Sequence, residues 1–349
     1  MHVRAYISVR KELHLRIKLG WAVLLCIFVF GATPANAQQA GQYIPGQQGL
    51  NAGLLPDPGF TYANLTINYS ADTLKNANGN SVPLTGSYDI WANANVFYYV
   101  PKFKLLGAKL AFMVAPTIAN GSLTLGSLRF PNIALNAGGE GLADTWVQPV
   151  TLGWSLKRLD VYVGYAFMAP TGRYSAGASD NVGSGYWGNH FITGSTFYIT
   201  KNKGTTADLF TDWEFHGSKT TTRGTTATPG QAFTMEWGLG QVLPLKKDFS
   251  RLLQLGVIGY DQWQVSDNGG LASPNIPASV LPHYSVHAIG FQTNFILPVK
   301  ALNFFFKFED EYKALARPEG RTIVFGGSYT FRIPKLEAPP SGPEAPATP

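Results

Sequence analysis

Polar and apolar residues alternate with a period of two along most of the chain between Thr61 and Arg332. In 61–70, Ala63, Leu65, Ile67 and Tyr69 share one face, while Asn64, Thr66, Asn68 and Ser70 share the other. In 207–216, Leu209, Trp213 and Phe215 oppose Asp208, Asp212, Glu214 and His216. In 301–312, Leu302, Phe304, Phe306 and Phe308 oppose Asn303, Lys307, Glu309 and Glu311. A strand presents such residues on two clean faces and a helix does not. The pattern predicts strands over 60–70, 88–100, 108–117, 143–156, 160–169, 190–200, 206–216, 232–243, 251–262, 283–297, 301–312 and 321–332.

The segments between these runs alternate in length. Long, Gly/Ser/Thr/Asn-rich stretches (71–87, 118–142, 170–189, 217–231, 263–282) alternate with short ones rich in Lys and Pro (101–107, 157–159, 201–205, 244–250, 298–300). Most runs are close to the ~9–11 residues that a tilted membrane-crossing strand needs. Beyond residue 37 no apolar stretch approaches the ~18 residues of a spanning helix, so a mature chain in a membrane has to be a closed barrel. Long loops at one rim and short turns at the other fit an even-stranded, antiparallel transmembrane β-barrel. The expected fold is therefore all-β with about twelve strands, or fourteen if 118–142 hides two more. Aromatic residues such as Trp91, Tyr165, Trp213 and Tyr312 near the run ends fit membrane-interface girdles.

Composition sharpens this reading. Charged residues make up 14% of the chain, against about 25% in ordinary soluble domains. The formal net charge of +6 is misleading, because Arg4, Arg10, Lys11, Arg16 and Lys18 sit in the first 37 residues against Glu12 alone. The chain beyond residue 37 carries only a small positive excess, which excludes a nucleic-acid footprint. Residues 1–37 read as a cleavable signal peptide. A basic stretch leads into the apolar run Leu19–Gly31 and ends at Ala35-Asn36-Ala37, placing cleavage before Gln38. Cys26, the only cysteine, lies in this leader, so the mature chain has no disulfides and no thiol chemistry. Residues 333–349 are a Pro-rich tail with the composition of a disordered segment.

The stretch 38–59 contains Pro45, Pro56 and Pro58 and several glycines, too many for a strand, yet it is apolar for a free linker. Asn51, Leu54, Leu55 and Asp57 in its core suit either a plug in the barrel mouth or a lead-in lying against the rim. Within the barrel, 60–332, the polar parity is expected to face the lumen. It comprises Asn64, Asn68, Asn93, Asn95, Asp160, Asp208, Asp212, Glu214, Glu236, Gln254, Gln292, Asn294, Lys307, Glu309 and Glu311. Acids outnumber bases there, which predicts a slightly acidic conduit. Tyr174, Tyr186, Trp187, Trp263 and Tyr284 lie in or beside long loops and are candidates for an apolar ligand pocket at the mouth.

Catalytic and metal chemistry is sparse. His283 and His287 are four apart, which on a strand is about 13 Å and too far for one ion, so no metal site is expected. No phosphate loop or nucleophile elbow occurs, and no cofactor is implied. His283 and Ser285 place an imidazole and a hydroxyl on one strand face, a pattern resembling that of outer-membrane phospholipases and lipid A deacylases.

Along Leu50–Tyr69, Val163–Tyr174, Gly185–Thr200, Pro229–Leu245, Gly259–Val265, Tyr284–Phe295 and Phe304–Phe308, the chain resembles a family of proteobacterial exported proteins. That family is labelled meta-pathway phenol degradation-like and includes SphA-like members. The resemblance spans about 45–335. It implies a Gram-negative outer-membrane barrel that handles hydrophobic or amphipathic small molecules. The leading expectation is a channel for passive uptake of phenol-type compounds or amphiphilic lipids. A protein that binds or senses a sphingosine-type amphiphile and a lipid hydrolase using His283 and Ser285 are the alternatives. Expected partners are outer-membrane lipids, the small-molecule ligand and the barrel-assembly machinery, whose recognition signal the run Gly326–Phe331 resembles.

Overall fold

The computed structural model describes residues 41–127, 134–221, 224–273 and 275–332. The expected signal peptide, 1–37, with its cleavage site, and the Pro-rich tail, 333–349, lie outside these residues. Twelve antiparallel strands close into one barrel. They are β1 (Gly59–Leu74), β2 (Leu84–Val100), β3 (Ala108–Ala115, continuing as Thr117–Ser127), β4 (Ala134–Leu142, continuing as Thr145–Ser155), β5 (Leu159–Ala169) and β6 (Gly188–Tyr198). The second half comprises β7 (Thr205–His216), β8 (Ala232–Pro244), β9 (Leu252–Gln264), β10 (Ser285–Leu297), β11 (Leu302–Leu315) and β12 (Pro318–Arg332). Closure comes from β1 against β12, in register from Gly59↔Arg332 to Leu74↔Pro318. Closing the sheet leaves no strand edge at the seam.

The stretch 118–142 adds no strands to the barrel wall. It lengthens the β3–β4 hairpin instead, pairing Ile118↔Leu142 through Gly126↔Ala134. Pro116, which has no N–H to give the ladder, marks where β3 is interrupted. At the long-loop rim, Lys219–Thr220, Thr226–Thr228, Gly269–Ser273 and Ile276–Pro277 form a small antiparallel sheet between two loops.

Aromatic rings gather at two levels of the outer surface. Toward the long-loop rim, Tyr165, Phe191, Phe215, Trp213, Phe233, Trp263, His287 and Tyr312 run in series, with neighbouring centroids 5.5–6.3 Å apart. Toward the other rim, Phe60 meets Phe97 at 6.1 Å and Phe331 at 5.9 Å. Between the two levels stand exposed apolar residues such as Leu209, Leu239, Leu255, Ile289 and Phe304. This is the outer surface of an outer-membrane barrel, where amphipathic rings mark the edges of the hydrocarbon layer.

The alternation gives every strand two faces, but the polar face does not point inward all round the barrel. From β5 to β11 the polar parity is the buried one: Asp160, Asp208, Asp212, Glu214, Glu236, Gln254, Gln292, Asn294, Lys307, Glu309 and Glu311 are buried. On β1, β2 and β3 it is reversed. Ile67, Ile90, Ala92, Ala94, Val96 and Ala119 face the interior. Asn64, Asn68, Asn93 and Asn95, expected in the lumen, take the outward parity. There the amides serve one another. Asn64 Nδ2 donates to Asn93 Oδ1 at 3.0 Å, Asn93 Nδ2 returns a bond to Asn64 Oδ1 at 3.0 Å, and Tyr62 OH donates to Asn95 Oδ1 at 2.8 Å.

Replacing both Asn64 and Asn93 with Leu should leave the barrel folded and stabilise it by about 1–2 kcal/mol, because two amides leave an apolar surface. Urea unfolding in detergent micelles, followed by tryptophan fluorescence, measures the sign. A loss of stability would mean that these side chains face the lumen.

Candidate functional site

The lumen is occupied by the chain's own segment 41–58. With prolines and glycines spaced as they are, this segment forms no ladder, so its buried N–H groups need partners from the wall. Gln42 N donates to Glu214 Oε2 at 2.7 Å near the long-loop rim. Glu236 on β8 accepts three bonds: from Tyr43 OH at 2.7 Å, Gly46 N at 2.9 Å and Gln48 N at 2.7 Å. Lys307 on β11 donates to the carbonyls of Gly46 at 3.3 Å and Gln47 at 2.5 Å, and to that of Gln48. Leu50 N then meets Gln292 Oε1 at 2.9 Å, and Asn51 exchanges amide bonds with Gln254 at 2.7 and 3.1 Å. Gly53 N reaches Thr196 Oγ1 at 2.9 Å. Asp57 pairs with Lys109 at 3.6 Å before the chain enters β1.

Local geometry makes this path possible. Gly46 has φ +89°, a conformation open to glycine, and a side chain there would run into the Glu309 carboxylate. Leu50 packs where Gly238, Gly240 and Gly256 thin the wall. Gly194 likewise leaves room for the Ala52 carbonyl and the Tyr162 ring.

The structure therefore gathers Asp208, Asp212, Glu214, Glu236, Asn294, Lys307 and Glu309 on one side of the lumen, where they line no open acidic conduit. Asp208 accepts from Thr196 Oγ1 at 2.5 Å and Thr206 Oγ1 at 2.8 Å. Asn294 Nδ2 donates to Gln254 Oε1 at 2.8 Å. Asp212 pairs with His190 at 2.9 Å, and Glu214 with His216 at 3.0 Å. Glu309 lies against Gly46. Trp187 is 55% exposed beside Phe167, and Trp263 belongs to the rings of the outer surface, so neither joins the lumenal residues. Of the remaining loop aromatics, Tyr186 and Tyr284 are buried. Burial and the nearby Glu214 carboxylate push the Tyr284 hydroxyl well above the usual phenol range, so it stays protonated.

On the outer face, Ser285 lies opposite Trp263 in the strand register. His283 Nε2 is engaged by Asp267 Oδ1 at 2.8 Å in the loop before it. Leu54 lines the lumenal cavity, while Leu55 packs over Gly153.

That cavity has a volume of about 400 Å³. One side is the segment, through Tyr43, Ile44, Gln47, Gln48 and Leu54; the other is the apolar wall of β1–β3, through Ala63, Leu65, Ile67, Ala92, Ala94, Val96, Met113 and Ala119. Tyr98, Trp146, Tyr162, Phe210 and Phe305 add rings, and Gln292, Asn294, Asn303, Lys307 and Ser328 contribute a polar patch. Sequence reasoning missed this apolar wall because it assigned the polar parity of β1 and β2 to the lumen. The small, aliphatic composition of Ala92, Ala94, Val96, Ala115 and Ala119, beside large rings elsewhere on the outer surface, is the signal that could have revealed it. It also missed Arg317, which is buried between β11 and β12 and binds Glu311 at 3.1 Å, beside the Tyr69 and Tyr260 hydroxyls on the same carboxylate.

Comparison with known proteins gives the same architecture. A family model described as "Putative MetA-pathway of phenol degradation" matches residues 71–325. An outer membrane channel from Pseudomonas putida F1 is similar in fold, with a TM-score of 0.65 at 11% identity, over 83% of this chain and 100% of that one. The beta domain of the Bordetella autotransporter BrkA is similar with a TM-score of 0.50 at 10% identity, over 79% of this chain and 100% of that one. No curated protein sequence matches.

Glu236→Ala removes the acceptor of three segment bonds and should cost about 3–5 kcal/mol, since Lys307 then loses its nearby carboxylate. Loosening the segment should raise single-channel conductance in planar bilayers, with deletion of 41–55 raising it furthest. Unchanged conductance in both variants would mean that the segment does not limit flow.

Proposed function

The chain belongs to the MetA-pathway phenol-degradation family, and on that premise we propose that it is an outer-membrane channel for passive uptake of hydrophobic or aromatic small molecules. The cavity between segment 41–58 and the apolar wall of β1–β3 carries this reading. Its volume is in the range of about 300–1,000 Å³ found for small-molecule sites. Apolar lining favours a solute that sheds water readily, and the polar patch around Asn303 and Lys307 gives one hydroxyl or similar group a place to bond. Segment 41–58 acts as the plug, and its displacement, or a local shift of its apolar side, widens the passage. No energy source enters the scheme.

A second reading is favoured by the density of bonds that hold the segment. The barrel would capture an amphiphile of the sphingosine type for binding or sensing, without passing it. A lipid hydrolase built on His283 and Ser285 has less support, because among the described residues the His283 imidazole bonds to Asp267 and not to the Ser285 hydroxyl. In that third case Ser285→Ala would abolish lipase activity of the folded protein.

The discriminating experiment is uptake of labelled phenol, a long-chain fatty acid and sphingosine at limiting concentration, in cells with and without the gene. A gene-dependent difference for one class is expected. Equal uptake in cells that contain folded barrel would favour binding or sensing. Ala92→Glu should reduce gene-dependent uptake at least tenfold while preserving heat-modifiable migration on gels. A carboxylate in the apolar wall costs any hydrophobic solute several kcal/mol of favourable contact.

A further inference from the structure

We propose that His190, Glu214 and Gln42 form a binding site for one divalent transition-metal ion, with Asp212 orienting the imidazole. His190 on β6 and Glu214 on β7 stand directly opposite in register, and Asp212 lies two residues along β7 on the same inward face. All three are fully buried, and one donor atom from each lies within 4.8 Å of the others. A four-coordinate ion with ~2.0–2.1 Å bonds holds its ligands about 3.4 Å apart, so the side chains draw together when it binds.

The hydrogen-bond pattern points to a cation. Asp212 Oδ2 meets His190 Nδ1 at 2.9 Å; in the neutral imidazole with its proton on Nδ1, the lone pair of Nε2 is available to a ligand. A carboxylate behind a ligating imidazole in this way is the usual second support of a metal site. Nε2 of His190, Oε1 of Glu214 and Oε1 of Gln42 are buried atoms with no hydrogen-bond partner among the described residues. Two of them share one point: the space where a Gly188 side chain would begin is taken by Gln42 Oε1, with His190 Nε2 3.1 Å from that point. On the other side of Gln42, Glu214 Oε1 is 2.9 Å from where a Gly41 side chain would begin.

Leaving an imidazole nitrogen, a carboxylate oxygen and an amide oxygen buried and unpaired is costly, and three acceptors cannot satisfy one another. A divalent ion is the common partner that all three accept, and the carboxylates of Asp212 and Glu214 balance its charge. One imidazole with oxygen ligands suits zinc, copper, nickel or cobalt rather than calcium or magnesium. The Tyr284 hydroxyl, also without a hydrogen-bond partner among the described residues, stands 3.1 Å from the same Gly41 point, beside the Glu214 carboxylate. His216 Nε2, on Glu214 Oε2 at 3.0 Å, supports the carboxylate from its other oxygen. Gln42 belongs to the lumenal segment and also lines the cavity, so the ion reaches the site from the cavity and, once bound, ties the segment's outer end to the wall. The site stands whether or not the barrel transports aromatic compounds.

The test uses the full-length, untagged protein folded in detergent, washed with chelator and titrated with Co²⁺. The expected result is one equivalent bound with visible ligand-field absorption, displaced by Zn²⁺. Binding should weaken at least 30-fold in His190→Ala and Glu214→Gln, and about 10–100-fold in Asp212→Asn. It should be unchanged in His283→Ala, which removes an imidazole in an outer loop. Absence of the band, or a band that His190→Ala retains, would overturn the proposal. If His190→Ala does not fold, Cu²⁺ electron paramagnetic resonance on a His283→Ala/His287→Ala background decides. That background also carries His216→Gln in the chain from Gln38 onward, so that His190 is its one imidazole; nitrogen coupling is expected, and an all-oxygen signal overturns the assignment.

Discussion

An irregular peptide threaded through a narrow barrel has to find a partner for every N–H it buries, and much of this structure depends on that requirement. Glu236 answers it for the middle of the segment by accepting bonds from Tyr43, Gly46 and Gln48. Lys307 answers the reciprocal need of the carbonyls at Gly46, Gln47 and Gln48. The wall facing the segment therefore carries charge and amides, and the opposite wall is free to be aliphatic. The open volume falls on the aliphatic side because the polar side is already taken. A cavity with one wall of Ala, Val, Ile and Leu and one wall of folded-in backbone is thus a consequence of how the segment is held.

The outside obeys a different rule. Hydrocarbon offers no hydrogen bonds, so a strand pair that turns polar side chains toward it has to satisfy them locally. Asn64, Asn93 and Asn95 do so by bonding to one another and to Tyr62. The same pair of strands gives its aliphatic residues to the lumen, which is why the polarity of β1 and β2 is inverted relative to β7–β11. Small residues on the inner face of β2 and β3 keep the lumen wide where the segment is absent, while Leu50 fills the thin wall around Gly238, Gly240 and Gly256.

The polar half of the lumen is not uniform. Around Glu236 and Lys307 each charge has the segment's backbone as its partner. Around His190, Asp212 and Glu214 the protein leaves ligand-type atoms unpaired while fixing the imidazole from behind. The first arrangement holds a peptide; the second is suited to holding an ion at that peptide's outer end.

The number and spacing of the strands, the alternation of long loops with tight turns and the aromatics of the outer surface were all legible in the sequence. Each depends on local properties: side-chain direction alternates residue by residue, and turn formers act over a few positions. Charge also constrains Asp208, Asp212, Glu214, Glu236, Lys307 and Glu309, because carboxylates and a lysine in a lipid-facing band are too costly to be placed outward. Asn64, Asn93 and Asn95 could not be placed in this way. An amide is tolerable on either face, and period two has no sign, so the choice waits for what each face meets across the barrel. The course of 41–58, its pairing with residues as distant in sequence as Glu236 and Lys307, and the convergence of Gln42, His190 and Glu214 were decided by tertiary structure alone. Those contacts join positions that no local pattern relates, and only closure of the barrel around the segment brings them within bonding distance.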